Sequence, residues 1–531
     1  MALPRTISEA AGALHDRSIS SVELVTGMLE RAERLDPPLG CYLARFEDAA
    51  LRSAEQADAE LASGQDRGPL HGIPVALKDN IAAREGPTTA QSLAIDAGWG
   101  AGQDATVVTR LREAGAVITG KTTLSEFALS AQDPTMPFPV PLNPWDLSRS
   151  AGGSSSGSGN GVAAGLFLGA LGTDTGGSVR QPAHFNGVTG LRPTFGLVPA
   201  TGLVPTGYTF DCIGPMARSA RDCAILLSAI SGVRGPDEVS DRTDTLAGAT
   251  IGVYRPHAEP LARADADVAA AFEAAVGDLE AAGAQTREVR IPFFRELTDA
   301  NYVGLLAEAL AYHWRRARER WNRYGCWTRL SLAQGALYSA NDYLQAQRLC
   351  RLGLGRVQEI LQGVDVIVLP TMGDPAWPFS STLPPGFMTT RPPMGRFTAA
   401  IASLRVPAVS VPMGLTGDGL PCGLQIVGRP HDDNTVLGVA EAYQRITSWH
   451  LAEPSFSGVP ARLPDVTSST DPPPDPAHLA ATRDCLGRAG LPASDEEIEL
   501  LARSYPYVRD AADAVCAAAS DTDLSPFDIG A

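Results

Sequence analysis

The chain has 531 residues, 44% hydrophobic and 19% charged, which is the profile of a folded protein long enough for two or three domains. Its 60 acidic residues against 43 basic ones give a net charge of −17, which argues against polyanion binding, and no apolar run reaches the ~18–20 residues of a membrane span. The eight cysteines are scattered singly with no C-x-x-C pair, and MALPRTISEAAGALHD lacks a basic-then-apolar leader pattern, so the expectation is a cytoplasmic protein with neither a disulfide frame nor a zinc site.

In chain order, 7–35 and 45–63 read as amphipathic helices. The apolar stretch from Ile73 to Leu77 reads as a buried strand ending at Lys78. A helical pattern at 105–114 leads to AGAVITGKTT, a second strand that ends near Lys121. A Pro-rich loop covers 131–150 and is followed by AGGSSSGSGNG, with helical apolar residues at 162–171. Strands are expected at 249–256, 364–371, 407–414 and 419–428, and helices at 265–283, 302–322 and 340–362. The composition shifts at 465–477 to DVTSSTDPPPDPA, a linker by its Pro, Ser and Asp content. Three short helical patterns over 478–519 then suggest a small helical module that packs on the main body, because so small a core is marginal alone. Asp495, Glu496 and Glu497 suit a helix start within it.

One compositional feature points to chemistry. Only two of the 43 basic residues are lysine, Lys78 and Lys121; the others are arginine. Arginine does not deprotonate in proteins, whereas a buried lysine can be driven toward neutrality and serve as a base. Both lysines end expected strands, where open α/β sheets place ligand sites, and pattern alone does not choose between them.

The serine–glycine segments carry several readings. Gly153 to Gly157 matches G-x-S-x-G with Ser155 in the nucleophile slot, but no hydrophobic strand precedes it as a hydrolase elbow requires. A phosphate loop fails because no Gly-Lys-Ser/Thr follows. Ser178 lies 24 residues beyond Ser154, in GTDTGGSVR. Its two preceding glycines let backbone N–H groups turn into one cavity, and a helix starting near Ser178 would favour a developing oxyanion. The same serine also reads as a plain helix N-cap. His71 and His184 lie near these motifs, and for both a structural role is the simpler reading.

Taken together, GIPVALKDN, GKTTLSEFA, NPWD, AGGSSSGSGNGVAAG and GTDTGGSVRQPA resemble the amidase signature family, with further agreement through FNGVTGLRPTFGLVP, DCIGPMARSARD, VDVIVLPT and GLPCGLQIVG. The resemblance covers roughly residues 5–455. It implies an α/β fold, a large mixed sheet of about eleven strands covered by helices on both faces, over a catalytic domain of 1–464. The 465–477 linker and a helical module over 478–531 would follow it. It also implies a Ser–Ser–Lys triad, with Ser178 as the acylated nucleophile, Ser154 as the bridging serine behind a cis Gly153–Ser154 bond, and Lys78 as the base. Thr175, Gly176, Gly177 and Ser178 match the oxyanion hole. Ser155, Asp174 and Arg180 match supports of that loop, and Lys121 matches no catalytic position.

The implied function is hydrolysis of a small carboxamide through an acyl-enzyme, releasing ammonia or an amine without a cofactor or metal. The expected partner is that small-molecule amide, with no nucleic acid and no membrane, and with self-association as a homodimer left open. The alternatives are an amidotransferase A-type subunit feeding ammonia to a partner, toward which the tail's faint likeness to small accessory subunits points, and a non-catalytic scaffold on the same fold. Expected pocket walls are the 131–146 loop, Tyr208 to Cys212, and 372–397 with Trp377 and Phe387, while Arg329 or Arg396 is a candidate carboxylate receptor.

Overall fold

The computed structural model describes residues 3–129, 131–232, 246–256, 264–379, 396–458 and 473–520. From the N-terminus the chain forms α1 (Ile7–His15), α2 (Ser21–Leu39), β1 (Tyr42–Arg45), α3 (Glu47–Ala62), β2 (Pro74–Lys78), α4 (Thr106–Glu113) and β3 (Val117–Thr122). A hairpin of β4 (Leu142–Asn143) and β5 (Asp146–Ser150) leads to α5 (Ser156–Ala164), β6 (Gly169–Asp174), α6 (Arg180–Asn186), β7 (Thr189–Arg192), β8 (Cys212–Ala217) and α7 (Ala220–Ser231). Next come β9 (Thr250–Val253), α8 (Ala266–Ala281), β10 (Gln285–Glu288), the long α9 (Phe294–Arg320), α10 (Cys326–Gly335), α11 (Ala340–Leu361) and β11 (Val366–Pro370). The path closes with α12 (Arg396–Ser403), β12 (Ala408–Leu415), β13 (Pro421–Val427), α13 (Asp433–Ile446), α14 (Pro476–Ala489) and α15 (Asp495–Ser520).

Eleven strands pair in one mixed sheet, in the order β1-β3-β2-β6-β8-β7-β12-β13-β11-β9-β10, as the resemblance implied. Strand alternation divides the core. Val366 and Val368 of β11 join the cluster on the face covered by α1, α2, α4, α7, α8 and α13, whereas Ile367 and Leu369 join the opposite face under α9, α11 and α12. Each such fully buried aliphatic contributes roughly 1.5–3 kcal/mol. The opposite face continues under α5 and α6, through Ala76, Ala170 and Met216.

Several elements differ from the sequence expectation. The helix expected over 7–35 is two helices, because Asp16 ends α1 and a Ser20–Glu23 capping box starts α2. The helix expected at 162–171 instead starts at Ser156, inside the Ser/Gly run, and stops at Gly165; residues from Gly169 onward are strand β6. Poor helix formers hide this helix, and packing explains them. A Cβ on Gly157 would stand 2.6 Å from Thr123 N, and one on Gly161 would stand 2.6 Å from Cys41 Sγ. The chain beyond 473 forms two helices rather than three, since Pro506 lies inside α15 without ending it. α14 and α15 pack on α9–α11 through Leu486, Ile498, Leu501 and Val508 against Leu310, Trp321, Tyr324 and Leu332. Of the expected linker and module, 465–472 and 521–531 lie outside the described residues.

Candidate active site

β2 and its parallel neighbours β3 and β6 end together at one edge of the central sheet. Register decides where their last side chains go. Leu77 pairs with Lys121 and Lys78 with Thr122, so the two lysines leave opposite faces of the sheet. Lys78 enters the α5 side, where its Nζ lies 2.7 Å from Ser154 Oγ, 3.0 Å from Ser155 Oγ and 2.7 Å from Thr173 Oγ1. It is fully buried and has no ion pair among the described residues. Burial lowers its pKa from 10.5 to about 7, against the opposing field of Asp211 and Asp174.

The hydrogen bonds around these hydroxyls fix which way protons can run. Ser155 Oγ donates to Thr173 O at 3.2 Å and accepts from Thr173 N at 3.1 Å, so its proton is committed. Thr173 Oγ1 also accepts from Asn80 Nδ2 at 3.2 Å. Ser154 Oγ has Lys78 as its one hydrogen-bond partner among the described residues. A neutral Lys78 can donate its two N–H groups to Ser155 and Thr173 and present its lone pair to the Ser154 hydroxyl. The Gly153–Ser154 peptide bond is cis.

Ser178 stands in the turn between β6 and α6, half-buried, and its hydroxyl has no hydrogen-bond partner among the described residues. Its carbonyl accepts from Ser155 N at 3.1 Å, which ties the Ser178 turn to the start of α5. The N-cap of α6 is Val179, so the reading of Ser178 as a capping serine does not hold. The Gly176 and Ser178 N–H groups have no protein acceptor among the described residues. Gly177 departs from expectation: its N–H donates to Asp174 Oδ1 at 2.9 Å, so it holds the turn instead of facing a cavity. Its φ of +127° and the Thr398 hydroxyl that a Cβ would strike leave room for glycine only.

Asp174 and Arg180 brace this turn from beneath. Arg180 reaches Asp174 with Nε at 3.0 Å and Nη2 at 2.9 Å, and Arg192 adds a third contact at 3.3 Å, all fully buried. Burial alone would raise the Asp174 carboxyl, but the two guanidiniums hold it well below the usual carboxylate range. Thr175 Oγ1 donates to Asp211 Oδ1 at 2.6 Å, and the Thr175 carbonyl accepts from Asn301 Nδ2 of α9 at 3.1 Å.

Lys121 has a different setting, 3.2 Å from Asp79 Oδ1, 2.6 Å from Ile81 O and 3.1 Å from Thr88 Oγ1. His184 is structural: Nδ1 accepts from Gly423 N at 2.8 Å, so Nε2 donates to Asp374 O at 3.1 Å. Arg329 is committed to Glu497 of α15 at 2.5 Å and to Tyr324 O, which removes it as a free carboxylate receptor. Trp377 packs edge-on against Phe185 at 4.9 Å; Phe387 and the Arg396 side chain lie outside the described residues. The sequence pattern did not single out Thr173, two positions before Thr175 in the same motif, and it offered Asp211 only as part of the expected pocket wall Tyr208 to Cys212.

Comparison with known proteins places these features in a family. The family model described as Amidase matches residues 23–437. The chain is 34% identical over 490 residues to the A-type subunit of the glutamyl-tRNA(Gln) amidotransferase of Chloroflexus aurantiacus, covering 85% of this chain and 98% of the relative. Among solved structures, one described as an amidase superposes with TM-score 0.75 at 32% identity, covering 83% of this chain and 99% of the other. The native peptide amidase of Stenotrophomonas maltophilia superposes with TM-score 0.70 at 30% identity, over 83% of this chain and 96% of that one.

Proposed function

The chain belongs to the amidase family, and on that premise we propose that it hydrolyses a carboxamide with Ser178 as nucleophile, Ser154 as proton relay and Lys78 as base. The observation that carries this reading is the buried Lys78 facing three hydroxyls, of which Ser154 has no other hydrogen-bond partner among the described residues. Ser178 Oγ attacks the amide carbon, its proton passes to Ser154, and the Ser154 proton passes to Lys78. The Gly176 and Ser178 N–H groups support the tetrahedral oxyanion, a contribution of about 3–4 kcal/mol per donor in comparable sites. The relay then returns the proton to the leaving nitrogen, ammonia or an amine departs, and water hydrolyses the Ser178 ester to a carboxylate. Because the base acts neutral, the rate falls as pH drops through about 7.

What the released ammonia serves has two readings. Likeness to amidotransferase A-type subunits over nearly their whole length favours a glutaminase half-reaction that supplies a partner enzyme. Likeness at 30–32% identity to solved structures described as an amidase and a peptide amidase favours a self-contained amidase. The sequence similarities weigh more toward the first. The chemistry is tested with a serine-directed fluorophosphonate and peptide mass spectrometry: a single adduct on Ser178, lost in Lys78→Ala, is expected, and an adduct elsewhere contradicts the assignment. Glutaminase activity that appears only with added partner subunits would select the amidotransferase reading, whereas turnover of simple amides by the chain alone would select the other.

A further inference from the structure

We infer that Asp211 is a positioning residue for the proposed reaction: its carboxylate, joined to Thr175 Oγ1 and anchored on the Thr206 and Gly207 N–H groups, is the counter-charge that lets Lys78 hold the relayed proton. The inference rests on the reading of Lys78 as the base. It goes further by assigning a residue outside the Ser–Ser–Lys relay.

The geometry comes from the loop before β8. Asp174 pairs with Cys212 across the antiparallel β6–β8 ladder, so Asp211 stands beside the end of β6, next to the turn that carries Ser178. Thr206 N donates to Asp211 Oδ2 at 2.8 Å, Gly207 N lies 3.1 Å from the same oxygen, and Thr175 donates to Oδ1 at 2.6 Å. Three donors thus hold one half-buried carboxylate. Two carboxylates act on Lys78, Asp211 first and Asp174 second. Asp174 is already neutralised by Arg180 and Arg192, whereas Asp211 has no ion pair among the described residues. A proton arriving on Lys78 creates a buried ammonium with only neutral oxygens in contact, so the nearby uncompensated negative charge lowers the cost of that state.

The charged and titratable groups around the pair come from every neighbouring element. Lys78 comes from β2 and Asp174 from β6. Arg180 of α6 and Arg192 of β7 act on Cys212, the next residue of β8. On the other side, Glu308 of α9 holds Thr209 at 2.7 Å and accepts from Tyr343 of α11 at 2.8 Å. Tyr208 stands in the Asp211 loop itself. Burial raises Asp211 to about 6, with Glu308 adding to the rise and the three donors opposing it, so the carboxylate is ionised where Lys78 gains and loses its proton.

Because the chain contains only two lysines, lysine-selective isotope labelling yields two side-chain amine signals, and Lys121 serves as the internal control. Asp211→Asn is expected to lower the Lys78 titration midpoint by about one pH unit. It should also move the acid limb of Ser178 labelling by fluorophosphonate to lower pH, with the Lys121 signal unchanged. A folded Asp211→Asn chain whose Lys78 midpoint stays at the wild-type value overturns the assignment, even if labelling slows, because slowing alone is what lost packing gives. Should that variant not fold, Thr175→Val decides. Loss of its hydrogen bond weakens the ionised carboxylate, so a smaller shift in the same direction supports the inference and an unmoved midpoint overturns it. A wild-type chain that never labels at Ser178 counts against the proposed reaction, and the lysine titration still judges Asp211 on its own.

Discussion

Lys78, the last residue of β2, and Lys121, the penultimate residue of its parallel neighbour β3, are both fully buried, yet they have opposite surroundings. Lys121 faces a carboxylate 3.2 Å away, a carbonyl and a hydroxyl, which together complement an ammonium ion. Lys78 faces three hydroxyls, and each can pair with a neutral amine. A one-residue offset in the β2–β3 register sends the two side chains through opposite faces of the sheet, and that offset sets one lysine beside a carboxylate and the other among hydroxyls. Burial acts on both lysines; the placement of carboxylate charge distinguishes them.

The largest expected effect tests the Lys78 half of this contrast. Lys78→Arg keeps the positive charge but removes the titratable lone pair, so Ser178 labelling should fall about 10³-fold or more, read as the pseudo-first-order rate. Normal labelling would break the comparison, because any buried cation would then suffice.

Next in size is stability. Lys121→Met leaves Asp79 buried without its counter-ion and should cost about 3–5 kcal/mol in denaturant unfolding. Asp174→Asn, which strands Arg180 and Arg192, should cost a similar amount. Lys78→Met should behave oppositely. The folded-state pKa of Lys78 lies below the ordinary value of 10.5, so wild type loses stability as pH falls from there to about 7. Removal of the group abolishes that loss; the variant's advantage should be complete below about pH 7 and vanish above about 10.5. Equal destabilisation by Lys78→Met and Lys121→Met at pH 6 would show that the two sites do not differ.

The smallest effect concerns the C-terminal helices. Glu497→Gln weakens the partly exposed bond to Arg329 and should cost about 1 kcal/mol, with no change in the pH midpoint of Ser178 labelling. A shifted midpoint would mean that α15 reaches the charge balance of the site.

Much of the site was legible before the fold. β2 and β3 end at Lys78 and Lys121 within a residue of the expected positions, because continuous apolar runs bounded by glycine mark buried parallel strands. The identity of Ser154 and Ser178 came from motif order and spacing. The helix inside AGGSSSGSGNG was not legible, since its glycines are required by neighbours that approach from distant segments, Cys41 and Thr123 among them. Thr173 was illegible as a site residue, and Asp211 was legible only as pocket wall, for a related reason. Their importance lies in what stands opposite them across β6, β8 and the Lys78 pocket, which no local pattern encodes. Gly177 looked like an oxyanion donor because the sequence does not show that Asp174 folds back to claim its N–H. Arg329 looked free because its partner, Glu497, lies far along the chain in α15.

The most direct test of the two-lysine contrast is a pH titration of the lysine-labelled wild-type chain, with the two signals assigned through Lys78→Met and Lys121→Met. Lys78 is expected to lose its proton near pH 7 while Lys121, held by Asp79, keeps its proton to higher pH. A Lys78 signal that remains an ammonium up to its ordinary value of 10.5 would contradict the assignment of Lys78 as a neutral base, whatever else the Ser178 turn does.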